Sequence, residues 1–285
     1  MRLFTSNSKY QEIIQICIYT LVIGILYYVF VAFIPKGLDG ASQWQSNVLK
    51  AQDFVFDNKA YTHVFVGSSE AYNVPVGELS DKWANLGFAS DCSITGLEVI
   101  IRSGKPIEVV VIEVNGTLLR GQDDDLLSEI TTWHNSPIGR QNTRIDYLLY
   151  LCNTQIKHYL HKEIQNGIND EGALPKTDAL AIEKENMSRP LHEEKMCQML
   201  TQLKSQIDKL QHQGVRVVLT ETPNDPSLHD LQCQIAARNL VHEYFPSDQY
   251  EYFDVDWSDY KTKDGIHLAK FSARRYAKKI VDSFL

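Results

Sequence analysis

The sequence predicts an α/β body, a central parallel sheet with helices on both faces, preceded by one membrane-spanning helix. Two observations predict the body. Short β-branched runs alternate with stretches of helical periodicity, and the runs are apolar at nearly every position rather than at every second one. Strands buried on both faces read this way, and their alternation with helices is the pattern of a parallel sheet. The third observation is at the amino-terminal end, where no residue from Ile13 to Ile34 is charged.

That run, IIQICIYTLVIGILYYVFVAFI, is 22 residues long. At about 1.5 Å per residue a helix of this length crosses a hydrocarbon core of about 30 Å. It exceeds the roughly 7–15 residues of a signal-peptide apolar region, and no small-x-small cleavage site follows directly. A buried core helix would be shorter or carry polar interruptions, although Tyr27 and Tyr28 do sit inside the run. Arg2 and Lys9 precede it, against Glu12, while Lys36 and Asp39 follow. The balance favours a cytoplasmic tail over 1–12, a transmembrane anchor over 13–34 and a body that is periplasmic or extracellular.

Residues 35–60 form a linker, with a turn-rich Pro35–Gly40 and a short helix over Ser42–Asp57 that carries Trp44, Val48, Leu49, Phe54 and Phe56. The body occupies 61–285. Its predicted strands are Thr62–Gly67, a short piece at Trp83–Leu86, Ile107–Val114, Val215–Glu221 and Tyr250–Val255. Helices are expected over Ile94–Ser103, Leu191–Gln213, Leu228–Tyr244 and Leu268–Leu285. The second of these has apolar residues at 196, 199, 200, 203, 207 and 210, with Gly214 as its stop. The polar segment from about 117 to 190 breaks the alternation and reads as a partly helical insertion, with one amphipathic patch at Ile145–Leu160. Either it covers the site or it is a solvated excursion.

Composition excludes some functions. A net charge of −8 and a pI of about 5.6 offer no basic surface, so no nucleic acid is expected as a partner. The five cysteines, Cys17, Cys92, Cys152, Cys197 and Cys233, lack the spacing of a zinc site, and an odd number cannot all pair internally. No metal and no organic cofactor is implied.

Four polar clusters fall at the ends of predicted strands or just before a helix. In Gly67-Ser68-Ser69-Glu70 a hydroxyl follows a buried strand, at the sheet edge where open α/β sheets build their sites. The same serines would equally serve as helix caps. Asn85-Leu86-Gly87 and Glu113-Val114-Asn115-Gly116 supply an amide and a side chain of the kind an oxyanion hole needs, or simple turn chemistry. In Asp264-Gly265-Ile266-His267 the spacing lets a carboxylate orient an imidazole, or caps the last helix. His134 with Trp133 and Asn135, and Glu221 with Asn224, are further polar residues that read more readily as structural.

The order Ser, Gly, Asn, Asp–His resembles the SGNH (GDSL-type) hydrolase superfamily, over roughly Thr62 to Leu285. The resemblance implies a flavodoxin-like three-layer sandwich. It implies Ser69 as nucleophile, His267 as general base and Asp264 as its orienter. Gly87 and Asn115, with the amide of Ser69, would form the oxyanion hole. Two positions depart from the pattern: Ser68 stands where an aspartate is usual, and Glu113-Val114-Asn115-Gly116 replaces Gly-x-Asn-Asp. With the anchor, Gly-Ser-Ser-Glu is similar to membrane-anchored SGNH proteins that partner multi-pass membrane-bound O-acyltransferases. The resemblance therefore implies an esterase or acyltransferase acting through an acyl-serine on an acylated carbohydrate or other cell-envelope polymer. A non-catalytic scaffold for such an acyltransferase is the rival expectation.

Overall fold

The computed structural model describes residues 6–32, 43–130 and 176–285, with side chains from 12 to 26, 43 to 130 and 179 to 285. The chain divides into two units, Met1–Ser42 with Trp133–Ile164, and Gln43–Thr132 with Gln165–Leu285. The first contributes one described element, helix α1 (Ser6–Ala32), whose described side chains, Glu12 to Leu26, are all exposed. Among the described residues no helix is long and apolar enough to cross a membrane. The last two residues of the expected span, and the turn at 35–40, lie outside them.

The second unit is built on five parallel strands, β1 (His63–Gly67), β2 (Trp83–Gly87), β3 (Val109–Glu113), β4 (Arg216–Thr220) and β5 (Glu251–Tyr252). Their order is β2-β1-β3-β4-β5, the flavodoxin-like arrangement, in which the chain reverses direction across the sheet between β1 and β3. Successive side chains of a strand point to opposite faces. Val64 and Val66 of β1, Val110 and Ile112 of β3, and Val217 and Leu219 of β4 enter one core. Phe65, Val109, Val111 and Val218 enter the other. Each fully buried side chain of this size contributes roughly 1.5–3 kcal/mol.

The first core is closed by α2 (Gln43–Phe56), α5 (Ser93–Ser103), α8 (Glu193–His212) and α9 (Gln232–Tyr244). The second is closed by α3 (Ser69–Tyr72), α4 (Val76–Leu79) and α10 (Lys270–Phe284). The predicted stripe on α8 is buried at Met196, Leu200, Leu203, Ile207 and Leu210, and Gly214 past its end has φ +84°.

Of the boundaries that differ from expectation, three have a clear physical cause. β2 runs one residue further, because Gly87 pairs with Gly67. The helix expected from Leu228 begins at Gln232, since Asp225 caps a separate 3-10 turn over Pro226–Leu228. β5 ends at Tyr252: after one further bond, Phe253 N–H to the Leu219 carbonyl, the chain turns into a 3-10 segment at Trp257–Asp259 capped by Asp256. Within the insertion, a 3-10 segment (Gly116–Arg120), α6 (Asp124–Glu129) and α7 (Lys176–Met187) are described. The amphipathic patch at 145–160, the residues Trp133, His134 and Asn135, and Cys152 lie outside the described residues.

Candidate active site

The carboxyl ends of β1 and β3 lie at the point where the strand order reverses, the usual place for a site in an open α/β sheet. Past Gly67, the backbone of Ser68 is extended and its hydroxyl accepts from the Glu70 N–H at 3.1 Å, so Ser68 caps α3. The capping role thus falls to Ser68. Ser69, the first residue of α3, remains partly exposed.

The helix can fold back over the sheet only because two glycines sit under it. A Cβ on Gly67 would lie 2.5 Å from Ala71 Cβ, and one on Gly87 would lie 2.7 Å from Tyr72 N and 2.8 Å from the Ala71 carbonyl carbon. Real contacts are never so short, so Gly67 and Gly87 form the floor beneath the serine turn. Gly87 is buried, its N–H donates to Asn85 Oδ1 at 2.6 Å, and its carbonyl accepts from Lys50 Nζ at 2.8 Å. Burial pulls the Lys50 ammonium down to about 7. In this structure the Gly87 amide, expected as an oxyanion donor, is engaged by Asn85.

Beside Gly67, the Glu113 side chain fills the space at the end of β3. Its carboxylate accepts the Ser68 amide at 3.1 Å and the Ser68 hydroxyl at 2.9 Å. Asn115 Nδ2 donates to Glu113 at 2.7 Å and to Glu70 at 3.1 Å, which uses both of its hydrogens. Asn115 Oδ1 accepts from the Thr117 N–H at 2.9 Å and its hydroxyl at 2.5 Å, which fixes the amide orientation. Burial raises both carboxyls. Glu70 is pushed well above its ordinary range by desolvation and then by the charge of Glu113. For Glu113 the donors from Ser68, Asn115 and Ala71 oppose the rise. The donors converging on Glu113 favour its charged form, whereas burial and the neighbouring Glu113 charge disfavour that of Glu70.

The other cluster is on a hairpin. Lys263 N–H bonds the His267 carbonyl and Ala269 N–H the Lys261 carbonyl, both at 2.8 Å, with Asp264 and Gly265 near the tip. Asp264 Oδ1 accepts the backbone N–H of His267 at 2.8 Å and of Ile266 at 3.2 Å, while Oδ2 takes His267 Nδ1 at 2.7 Å. Burial alone would raise the Asp264 carboxyl, but the His267 amide and ring and the Ile266 amide hold it below its ordinary value. Both side chains stay accessible, His267 at 22% and Asp264 at 31% exposure. Asp225 N–H ties the loop after β4 to the Gly265 carbonyl at 2.7 Å. On the other side, Leu180 of α7 lies where a Gly265 Cβ would project, at 2.8 Å. The end of the insertion thus packs against the hairpin tip.

The structure therefore joins Asp264 to His267, and joins Asn115 to Glu113, Glu70 and Ser68. Among the described residues, Ser69 makes no side-chain hydrogen bond to His267. Catalytic hydrogen bonds are often long in unliganded enzymes. Glu221, read from sequence as structural, forms a two-bond ion pair with Arg238 at 2.8 and 3.0 Å. It lines a cleft of about 570 Å³ with His229, Asp254, Asp256 and Trp257. Asn224 sits beside the Glu70 carboxyl.

Sequence reasoning missed the part that Glu113 and Glu70 play in this cluster, and the backbone conformation of Ser90. Glu113 was visible only as a departure from a pattern. Ser90, exposed on the loop after β2, has φ +60°. A non-glycine residue there is strained, and such strain gathers at functional sites. Nothing in the residue type signals it. No cluster of three or more His, Cys, Asp or Glu side chains fit for a metal exists among the described residues.

Neither a family model nor a curated protein matches the chain. Two solved structures are similar to it. One, provisionally described as a platelet activating factor from Streptococcus pneumonia, aligns with TM-score 0.43 and 12% identity over 93% of this chain and 99% of its own. The other, provisionally described as an acylhydrolase from Bacteroides fragilis, aligns with TM-score 0.38 and 14% identity over 90% of this chain and 95% of its own. Likeness at this level says nothing about chemistry, which rests on the residues themselves.

Proposed function

We propose that the protein is a serine esterase or O-acyltransferase in which Ser69 is the nucleophile, His267 the general base and Asp264 its orienter. The observation that carries this reading is the Asp264–His267 hydrogen bond on an accessible hairpin, combined with a partly exposed serine at the switch point of the sheet. With Nδ1–H given to Asp264, His267 Nε2 is free to take the Ser69 proton as Oγ attacks an ester carbonyl. Nε2 then returns that proton to the departing alcohol, leaving an acyl-serine. A second hydroxyl, from water or a sugar, repeats the sequence and releases the acyl group.

The developing oxyanion needs donors. In this reading the Ser69 amide is one, and Asn115 is another once its weaker bond, to Glu70, gives way. Gly87 N–H is the third candidate, and it would have to leave Asn85 to serve. The cleft beside Glu221 suits the acceptor. An indole and a histidine ring flank several carboxylates, and that mixture fits the C–H faces and hydroxyls of a neutral carbohydrate better than an anion. The charge-free run at 13–34 supports a single-pass anchor, with the body outside the cytoplasm and a cell-envelope polymer as substrate.

The test is labelling of the full-length protein with a serine-directed fluorophosphonate, together with hydrolysis of a short-chain aryl acetate. Wild type should react and Ser69→Ala should not, with its thermal unfolding unchanged. Equal reaction of the two would end the nucleophile assignment. One observation favours the rival reading, a non-catalytic scaffold for a membrane-bound O-acyltransferase: both Asn115 amide hydrogens are occupied. A folded wild type that is never labelled would favour that scaffold.

A further inference from the structure

We propose that Glu113 is the positioning residue of this site: from the neighbouring strand it supplies the carboxylate that locks the serine turn, and Ser68 is shaped to receive it. The inference rests on Ser69 being the nucleophile.

The geometry is specific. Glu113 is the last residue of β3 and its carboxylate is 1% exposed. In β3 it falls on the same face as Val109 and Val111, and that face looks onto the underside of the turn after β1. The Glu113 side chain fits there because Gly67 has none; a Cβ on Gly67 would collide with Glu113 Oε2 and lie 2.9 Å from Glu113 Cβ. From that position one oxygen receives the Ser68 N–H and the other the Ser68 O–H. A backbone donor and a side-chain donor on the residue before Ser69 are thereby held by one rigid group. The hydroxyl of Ser68 also accepts the Glu70 N–H, so restraint passes through Ser69 into the first turn of α3. The same carboxylate takes Asn115 Nδ2 at 2.7 Å. One buried group thus fixes both the nucleophile turn and the side chain proposed as oxyanion donor.

This also accounts for the two departures from the Gly-Asp-Ser and Gly-x-Asn pattern. An aspartate at 68 beside a glutamate at 113 would bury two carboxylates together, which is costly without a shared proton. A serine at 68 turns the side-chain contact into a hydrogen bond, added to the one from its backbone N–H. The two departures are complementary: the carboxylate has moved from the β1 turn to the end of β3. A purely structural salt-free cap would not need to reach both Ser68 and Asn115.

The experiment uses the full-length protein and four forms: wild type, Glu113→Gln, Ser68→Ala, and Ser68→Asp with Glu113→Gly. Thermal unfolding, fluorophosphonate labelling rate, and kcat and KM on an aryl acetate are measured for each. Glu113→Gln places an amide where two donors converge, so its labelling rate and kcat should fall about 100-fold with KM little changed, the size of loss expected from a misplaced reacting group. The double variant, with its carboxylate returned to the turn, should regain most of that loss. Ser68→Ala keeps the amide contact and should lose less than Glu113→Gln. If Glu113→Gln does not fold, the double variant decides: a folded double variant that labels well supports the exchange, and a folded one that is inert overturns it. Wild-type labelling rates in folded Glu113→Gln overturn the proposal while leaving Ser69 as nucleophile. A wild type that fails to label removes the nucleophile, and the positioning role with it.

Discussion

The two halves of the site are built in different ways. At the ends of β1 and β3, Ser68, Glu113, Asn115 and Glu70 are buried and hydrogen-bonded to one another, on a floor of two glycines that α3 covers. On the hairpin, Asp264 and His267 stand at the surface, tied to the rest of the body through Asp225 and Leu180. The first half is part of the core, so its geometry is over-determined and changes to its packing should be felt as stability. The second is a half-buried pair whose changes should be felt as rate. In the proposed mechanism, an imidazole on a hairpin and a nucleophile on the sheet would separate precision from access.

Breaking the hairpin half should give the largest effect. Asp264→Asn keeps Oδ1 for the Ile266 and His267 amides but faces His267 Nδ1 with an NH2 group, which forces the wrong tautomer. Turnover of an aryl ester should fall by about 10⁴-fold, while the unfolding midpoint stays close to wild type. A large loss of stability with activity retained would reverse the comparison.

Gly87→Ala tests the sheet half. Its Cβ would meet Tyr72 N and the Ala71 carbonyl, both backbone atoms, so α3 must shift; overpacking of this kind costs roughly 1–3 kcal/mol. Gly116→Ala, with nothing near its Cβ, is the control and should change stability by no more than about 0.5 kcal/mol. Chemical denaturation of both variants checks the difference, and equal values would show that the floor is not tight.

The effect of Glu70→Gln vanishes at acid pH, and it sharpens the comparison through pH. The folded-state pKa of Glu70 is raised, so its contribution to stability is complete below the unfolded-state carboxyl pKa and is lost as pH rises through the folded one. Glutamine mimics the protonated acid and cannot lose that proton. The variant should therefore match wild type only at acid pH, below the unfolded-state carboxyl pKa, and exceed it increasingly as pH rises towards the folded-state value, as read from unfolding midpoints across a pH series. Parallel curves would mean that Glu70 is ionised in the folded protein.

Legibility in the sequence followed the same division. The strands of the sheet were readable because burial on both faces demands near-continuous apolar runs, and β1, β3 and β4 fell inside their predicted ranges. The terminal helix and α8 were readable from periodicity. β5 was overextended, since an apolar run does not reveal where an edge strand stops pairing. Asp264 and His267 were readable as a pair because their contact is local, three residues apart on one hairpin. The surroundings of Gly87 were not readable: how closely α3 packs over a glycine, and which group holds its amide, depend on elements distant in sequence.

The sequence by itself determined the α/β class, the approximate elements and the charge-free amino-terminal run, because each depends on spacing along the chain. It also put Ser69 after β1 and joined Asp264 to His267. Only the tertiary structure decided that Glu113 reaches under the Ser68 turn, that both Asn115 hydrogens go to carboxylates, and that Ser90 is held left-handed. Those facts arise where β1, β2 and β3 lie side by side, linking residues 45 positions apart such as Ser68 and Glu113. Contacts set by strand order leave no trace in local pattern.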